Sequence, residues 1–93
     1  MNKTLVDESK SLSFANVNAV MRRVTHWIAN QTDKDMILDF SKVEYIDSAG
    51  VAMLVQLHKL SQTRYNKTVN MNISPIIQQM LKFYEIDKFL ECN

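Results

Sequence analysis

The chain has 93 residues, of which 46% are hydrophobic and 23% charged, and its net charge is +1. This length and balance predict one small globular domain over residues 1–93 and exclude a disordered or fibrous chain. Arg22-Arg23 is the only pair of adjacent Lys or Arg residues. Because nucleic-acid binding usually needs a concentrated basic stripe, we expect no nucleic-acid partner.

Cysteine content and hydropathy indicate the compartment. Cys92 is the one cysteine, which excludes an internal disulfide and a cysteine-based metal cluster. The longest apolar run, Val51 to Val55, is far shorter than the roughly 20 residues that span a bilayer. The first residues also lack the apolar core of a signal peptide. We therefore expect a soluble cytoplasmic protein without a metal or a cofactor.

The first part of the chain predicts two short strands, a helix and a buried strand. Leu5-Val6 and Ser11 to Phe14 are brief strand-like segments. From Asn16 to Ala29, apolar residues recur every three or four positions, as on one face of a helix. Met36 to Phe40 is short and largely apolar, which is typical of a buried central strand.

The second part of the chain continues the alternation of strands and helices. Val43 to Ile46 predicts a strand, and Ser48 begins a long helix that runs to about Tyr65. Residues 68–73 alternate apolar and polar side chains, which predicts a half-exposed strand. Strands that alternate with helices indicate an α/β fold with helices packed on a sheet.

The last helix has a well-marked start. Ser74 is a favourable N-cap residue, and Pro75 follows where its missing N–H has no cost. The helix is predicted to run to about Tyr84, and a short strand is possible at Lys88 to Leu90. The predicted buried residues of this helix are Ile76, Ile77, Met80, Leu81 and Phe83.

The junction from Asp47 to Gly50 carries the clearest functional pattern. Ser48 places a hydroxyl at a helix N-terminus, where on local grounds it is an N-cap residue. The free N–H groups there also suit the binding of an oxygen atom or a phosphate group. Asp47 either accepts backbone hydrogen bonds in the turn or orients Ser48 for a partner. Gly50, the only glycine, costs about 0.5–1 kcal/mol in a helix relative to alanine. It indicates either close approach of a partner or close packing of the helix on the sheet.

These residues resemble the signature of STAS domains, the family of the anti-sigma-factor antagonists. The matching segments are Ile37 to Phe40, Val43 to Ile46 and Asp47 to Val51, followed by Ile73-Ser74-Pro75, Gln79-Met80-Leu81 and Ile86. Together they cover about two-thirds of the chain, from Met36 onward. The resemblance implies a small mixed β-sheet of about four to five strands with helices packed on it, and a binding module without enzymatic activity.

Within the family, the chain resembles the MlaB group, the STAS subunits of Mla-type phospholipid ABC transporters in Gram-negative bacteria. This implies that it binds the cytoplasmic ATPase subunit, supports the transporter in outer-membrane lipid asymmetry, and meets the inner membrane only through that complex. The expected contact residues are Asp47, Ser48, Ala49, Gly50, Val51 and Met53. Met53 is compatible with a core position, but an exposed first-turn position, which suits an adaptable binding surface, is expected. Ser48→Glu, or a bulky replacement at Gly50, is expected to weaken binding while the fold survives.

The alternative is an anti-sigma-factor antagonist. In that class a partner kinase phosphorylates the serine equivalent to Ser48, and the added charge, about −2 beside Asp47, breaks the complex with the anti-sigma factor. Three departures point away from this class: Ala49 replaces a frequent second serine, Asn66 replaces the usual glycine before the last strand, and residues 12–16 lack the usual glycine and acidic residue.

An enzyme is disfavoured on sequence grounds. The chain has no P-loop, CxxC, HExxH or nucleophile-elbow motif. His26 and His58 have no acidic or nucleophilic residue placed beside them in the sequence.

Overall fold

The computed structural model describes residues 3–86, which form five strands and three helices. In chain order the elements are β1 (Lys3–Val6), β2 (Ser11–Leu12), α1 (Val17–Ala29), β3 (Asp35–Phe40), β4 (Tyr45–Ile46), α2 (Ser48–Thr63), β5 (Thr68–Ile73) and α3 (Pro75–Phe83). The predicted strand at Lys88 to Leu90 and Cys92 lie outside the described residues.

The described strands form two parallel sheets. In the larger sheet β3 lies between β1 and β5, with Leu38 opposite Leu5 on one side and Met71 on the other. The smaller sheet pairs β2 with β4, placing Leu12 opposite Ile46. The predicted α/β class is confirmed, but the strands do not form the single mixed sheet that was expected. Crossovers through α1 and α2 bring the chain back in the same direction, so every described pairing is parallel.

The core lies between the sheets and the helices. Along β3, burial alternates as a pleated strand requires, and Met36, Leu38 and Phe40 are fully buried. On α1 the buried residues are Val20, Val24 and Ile28, spaced by four residues, so they form one stripe that faces this core.

The helices match their predicted positions, with one correction in α3. Phe83 was predicted to be buried but is 79% exposed. Ile77 and Leu81 form the buried stripe of α3, and Phe83 lies two residues beyond Leu81, on the opposite side of the helix. Among residues 3–86, no helix is long and apolar enough to cross a membrane.

An ion pair between buried Asp7 and exposed Arg23 ties the end of β1 to α1. Asp7 is 3% exposed, and its Oδ2 accepts a hydrogen bond from Arg23 Nη2 at 2.8 Å. The backbone N–H of Ser9 donates to Oδ1 at 2.9 Å. Burial raises the pKa of Asp7, but the hydrogen bonds from Ser9 and Arg23 outweigh it and hold the pKa below its ordinary value. The fold therefore favours the ionised carboxylate.

Asp7→Asn is expected to make the stability of the protein less dependent on pH. A depressed pKa stabilises the fold above the ordinary carboxyl pKa of about 4, and this contribution is lost as pH falls through the folded-state pKa. At pH 7 the free energy of unfolding should drop by about 1–3 kcal/mol relative to wild type, and the difference should shrink in acid. Urea unfolding of both proteins at a series of pH values measures this difference in the free energy of unfolding.

Glu8→Gln provides the matched control. The Glu8 carboxylate is exposed and pairs with Lys42, so its removal should change stability by less than about 1 kcal/mol. A difference between wild type and Asp7→Asn that stays constant from neutral to acid pH would contradict this account of the ion pair.

Candidate functional site

Asp47 joins two elements at the start of α2. It is the N-cap residue, and its Oδ1 accepts a hydrogen bond from the Gly50 N–H at 3.0 Å. Its Oδ2 accepts one from the Phe14 N–H at 3.1 Å, across 33 positions of sequence. These two hydrogen bonds hold the pKa of Asp47 below its ordinary value, and the bond from Gly50 has the larger effect. The ionised carboxylate thus holds the loop before α1 against α2.

The prediction that Ser48 caps α2 is wrong, because Asp47 takes that role and Ser48 becomes the first helical residue. Ser48 is exposed, and its hydroxyl makes no hydrogen bond to another residue in the described range 3–86. Of the two readings of Asp47, acceptance of backbone hydrogen bonds is the one the structure shows. The Ser48 hydroxyl is consequently available to a partner or to a modifying enzyme.

The loop of residues 13–16 is closed by its own hydrogen bonds. Asn16 Oδ1 accepts from the Ser13 N–H at 2.9 Å, and Asn16 Nδ2 donates to the Ser11 carbonyl at 2.8 Å. The N–H groups of Asn16 and Val17 both donate to the Ser13 carbonyl at 2.9 Å. Within this ordered turn the Phe14 side chain is 81% exposed. A large apolar ring is therefore held at the surface beside the start of α2.

Gly50 allows β2 and β4 to pack closely against the first turn of α2. It is buried, and a Cβ atom there would lie 2.7 Å from Ile46 Cγ1 and 2.9 Å from the Leu12 carbonyl carbon, with the Leu12 oxygen closer still. That oxygen accepts a hydrogen bond from the Asp47 N–H, so it cannot simply move away. The packing interpretation of Gly50 is the one that the structure shows, so a bulky replacement there is expected to destabilise the fold as well as to weaken binding.

Burial separates the predicted contact residues into two groups. Ser48 is exposed, and Asp47 and Ala49 are half-buried. Val51 is 6% and Met53 4% exposed, so the expectation that Met53 is exposed is wrong. Both side chains belong to the core cluster. The buried positions of α2 are Gly50, Val51, Met53, Leu54, Leu57 and Ser61.

Two exposed residues near Ser48 were not among the predicted contact residues. Ala52 is exposed and lies four positions after Ser48, which places it on the same face of α2. Phe14 is brought to the site by its backbone bond to Asp47. The spacing of four could have identified Ala52, whereas no local signal links Phe14 to Asp47. We call Phe14, Asp47, Ser48, Ala49 and Ala52 the Ser48 surface.

The Ser48 surface is separate from two cavities of the molecule. A cavity of about 740 Å³ is lined by α1 residues, including Arg22 and His26, together with Tyr65. Another, of about 540 Å³, lies beside the start of α3. Neither is lined by a residue of the Ser48 surface, and residues 3–86 contain no group of three or more side chains that could hold a metal ion.

The chain is an α/β domain in which the start of α2 carries an exposed hydroxyl and is hydrogen-bonded to the backbone of an exposed aromatic residue. Comparison with protein-family models gives a match to the STAS domain over residues 4–93. The chain therefore belongs to the STAS family, whose members are generally regulatory domains without enzymatic activity. The match also includes most of the N-terminal third, where the sequence motifs gave little similarity.

Gly50→Ala is expected to destabilise the fold. At an ordinary helix position this change stabilises by about 0.5–1 kcal/mol, but here the added methyl group meets backbone and overpacking costs about 1–3 kcal/mol. The net result should be a lower midpoint in urea unfolding.

Ser48→Ala is the control on the same helical turn and should stay within about 0.5 kcal/mol of wild type, because Ser48 is exposed. A Gly50→Ala protein as stable as wild type would show that β2 does not pack against α2 as described.

Proposed function

We propose that this chain binds the cytoplasmic ATPase subunit of an Mla-type phospholipid ABC transporter through its Ser48 surface and supports the assembly and activity of that transporter. The observation that carries the proposal is the exposed Ser48 hydroxyl at the start of α2, with the backbone of exposed Phe14 hydrogen-bonded to the adjacent Asp47. Aromatic residues are enriched among those that dominate protein interfaces.

Two features favour the transporter over other STAS partners. The sequence resembles the MlaB group, and Ala49 takes the place of the second serine of many antagonists. In this role the chain binds no lipid and hydrolyses no nucleotide itself. It acts in the cytoplasm, at the inner membrane while in the complex, and contributes to outer-membrane lipid asymmetry through the transporter.

The second candidate is an anti-sigma-factor antagonist, and the accessibility of Ser48 favours it. The hydroxyl is exposed and without a hydrogen bond to residues 3–86, so a serine kinase could reach it. A phosphate would bring a charge of about −1.5 to −2 next to the ionised Asp47 carboxylate. Because the helix N-terminus stabilises negative charge, the modification would alter the contact with the partner while the helix remains folded.

Ser48→Glu is expected to reduce co-purification with the ATPase by about tenfold or more, because it places a charge at the centre of the proposed contact. Gln56→Glu is the matched control: it adds the same charge to an exposed position of α2 two turns further on. The measurement is the molar ratio of the two proteins after affinity purification. Wild-type stoichiometry for Ser48→Glu would contradict the proposed contact.

Phe14→Ala is expected to weaken binding to the ATPase by about tenfold or more without changing stability. The variant keeps the backbone N–H that donates to Asp47, and the lost ring is 81% exposed. Phe83→Ala, which removes a ring that is 79% exposed at the end of α3, is the control and should bind as wild type does. Equal losses for both variants would contradict a specific role of Phe14.

Isolation of the native protein from its own cell distinguishes the two candidates. Recovery of an ABC ATPase with its permease supports the transporter role. Recovery of an anti-sigma factor or a serine kinase, with phosphate on Ser48, supports the antagonist role and overturns the first proposal. Mass spectrometry of the recovered chain gives the phosphate occupancy in the same experiment.

A further inference from the structure

The carboxyl ends of three parallel strands meet at one cavity. Because β1, β3 and β5 run in the same direction, their following segments lie at the same edge of the sheet. These segments line a cavity of about 540 Å³ with Glu8 and Lys10 after β1, residues 41–44 after β3, and residues 74–76 after β5. In open parallel sheets, this edge is where ligands bind. The cavity shares no residue with the Ser48 surface.

The N-terminus of α3 opens on this cavity with unused hydrogen-bond donors. Ser74 is the N-cap residue, and Pro75 has no N–H. The N–H groups of Ile76 and Ile77 find no acceptor among residues 3–86, and the first turn of this helix contains no acidic residue. The positive end of the helix dipole is therefore left without a counter-charge from its own first turn.

The Ser74 hydroxyl is an independent sign of a ligand. Ser74 lines the cavity and is 3% exposed, yet its Oγ makes no cap bond and has no hydrogen-bond partner in the described part of the chain. Leaving a buried hydroxyl unpaired is costly, so such a group usually has a partner. An acceptor atom of a ligand in this cavity would supply one.

Two ammonium groups at the rim are held by exchangeable partners. Lys42 Nζ donates to Glu8 Oε1 at 2.8 Å, and Lys10 Nζ lies 3.9 Å from Glu44 Oε2. All four side chains are largely exposed, and exposed ion pairs contribute little to stability. A bound anion can therefore take the place of either glutamate beside its lysine.

We propose that this cavity binds a small tetrahedral oxyanion of the size of phosphate. Ser74 Oγ and the N–H groups of Ile76 and Ile77 donate hydrogen bonds to it, and Lys10 and Lys42 supply positive charge. A tetrahedral anion suits this set because its oxygens can meet donors that come from three different segments. The site extends the function beyond partner binding and does not depend on which protein binds the Ser48 surface.

Titration of the full chain with inorganic phosphate, followed by nitrogen-15 NMR, tests the site. Sodium chloride keeps the ionic strength constant. Saturable shifts of the Ile76 and Ile77 amides are expected, with a Kd on the order of millimolar. Ser74→Ala should raise this Kd about tenfold, because a hydrogen bond to a charged group is lost. Glu8→Gln should lower this Kd, because Lys42 then loses the carboxylate with which it is paired.

The stability of Ser74→Ala is a second test. Because the hydroxyl has no partner in the described structure, its removal should leave the melting temperature unchanged or raise it. Non-saturable shifts, or a Kd that Ser74→Ala does not change, would overturn the proposal. A lower melting temperature for Ser74→Ala would also overturn it, because the hydroxyl would then have an internal partner.

A parallel titration with sn-glycerol 3-phosphate distinguishes the sources of the oxyanion. Tighter binding than inorganic phosphate, with the same amides shifting, supports a site for phosphomonoesters such as a lipid headgroup. Equal or weaker binding at the same amides supports a site for free phosphate. Shifts confined to the cavity around Arg22 and His26 contradict the site at α3.

Discussion

The close approach of the Leu12 carbonyl to Gly50 is the contact on which the rest of the site depends. Gly50 has no side chain, so the end of β2 can lie directly against the first turn of α2. The same carbonyl accepts a hydrogen bond from Asp47, which fixes the spacing of β2, β4 and α2. Because the chain leaves β2 at this point, the following loop comes within reach of the Asp47 carboxylate. One glycine thus permits both the packing and the presentation of Phe14.

The two helix N-termini of the second half differ in how their free donors are used. At α2, Asp47 is ionised and accepts the Gly50 N–H, so the positive helix end already has a negative partner. This start is suited to contact with a protein through Ser48 and Phe14. At α3, the Ser74 side chain makes no cap bond and the first turn carries no acid. Similar local sequences, a small polar residue before a helix, therefore produce a capped helix start in one place and an open set of donors in the other.

The location of Ser48 explains how a STAS domain can be regulated without a change of fold. Ser48 lies at the positive end of α2 and outside the core, so a new charge there meets a partner and not a packed side chain. Val51 and Met53, one turn further, are buried and hold the helix in place. In the two proposed roles, the same geometry would serve either a constitutive interface with an ATPase or a phosphorylation-sensitive one with an anti-sigma factor.

The three helices, the central strand, the junction at Asp47-Ser48 and the STAS resemblance could be predicted from the amino-acid sequence, because periodicity and helix-start signals are local. The three-dimensional structure was needed to show that Asp47, and not Ser48, caps α2, that Met53 is buried, and that Gly50 is required for packing. It also decided that Phe14 lies at the site. The choice of cap is local, but Asp47 and Ser48 are adjacent residues that both suit an N-cap, so the sequence does not separate them. The packing of Gly50 and the position of Phe14 depend on contacts between residues more than thirty positions apart, Gly50 with Leu12 and Phe14 with Asp47, and no local pattern encodes such a pairing.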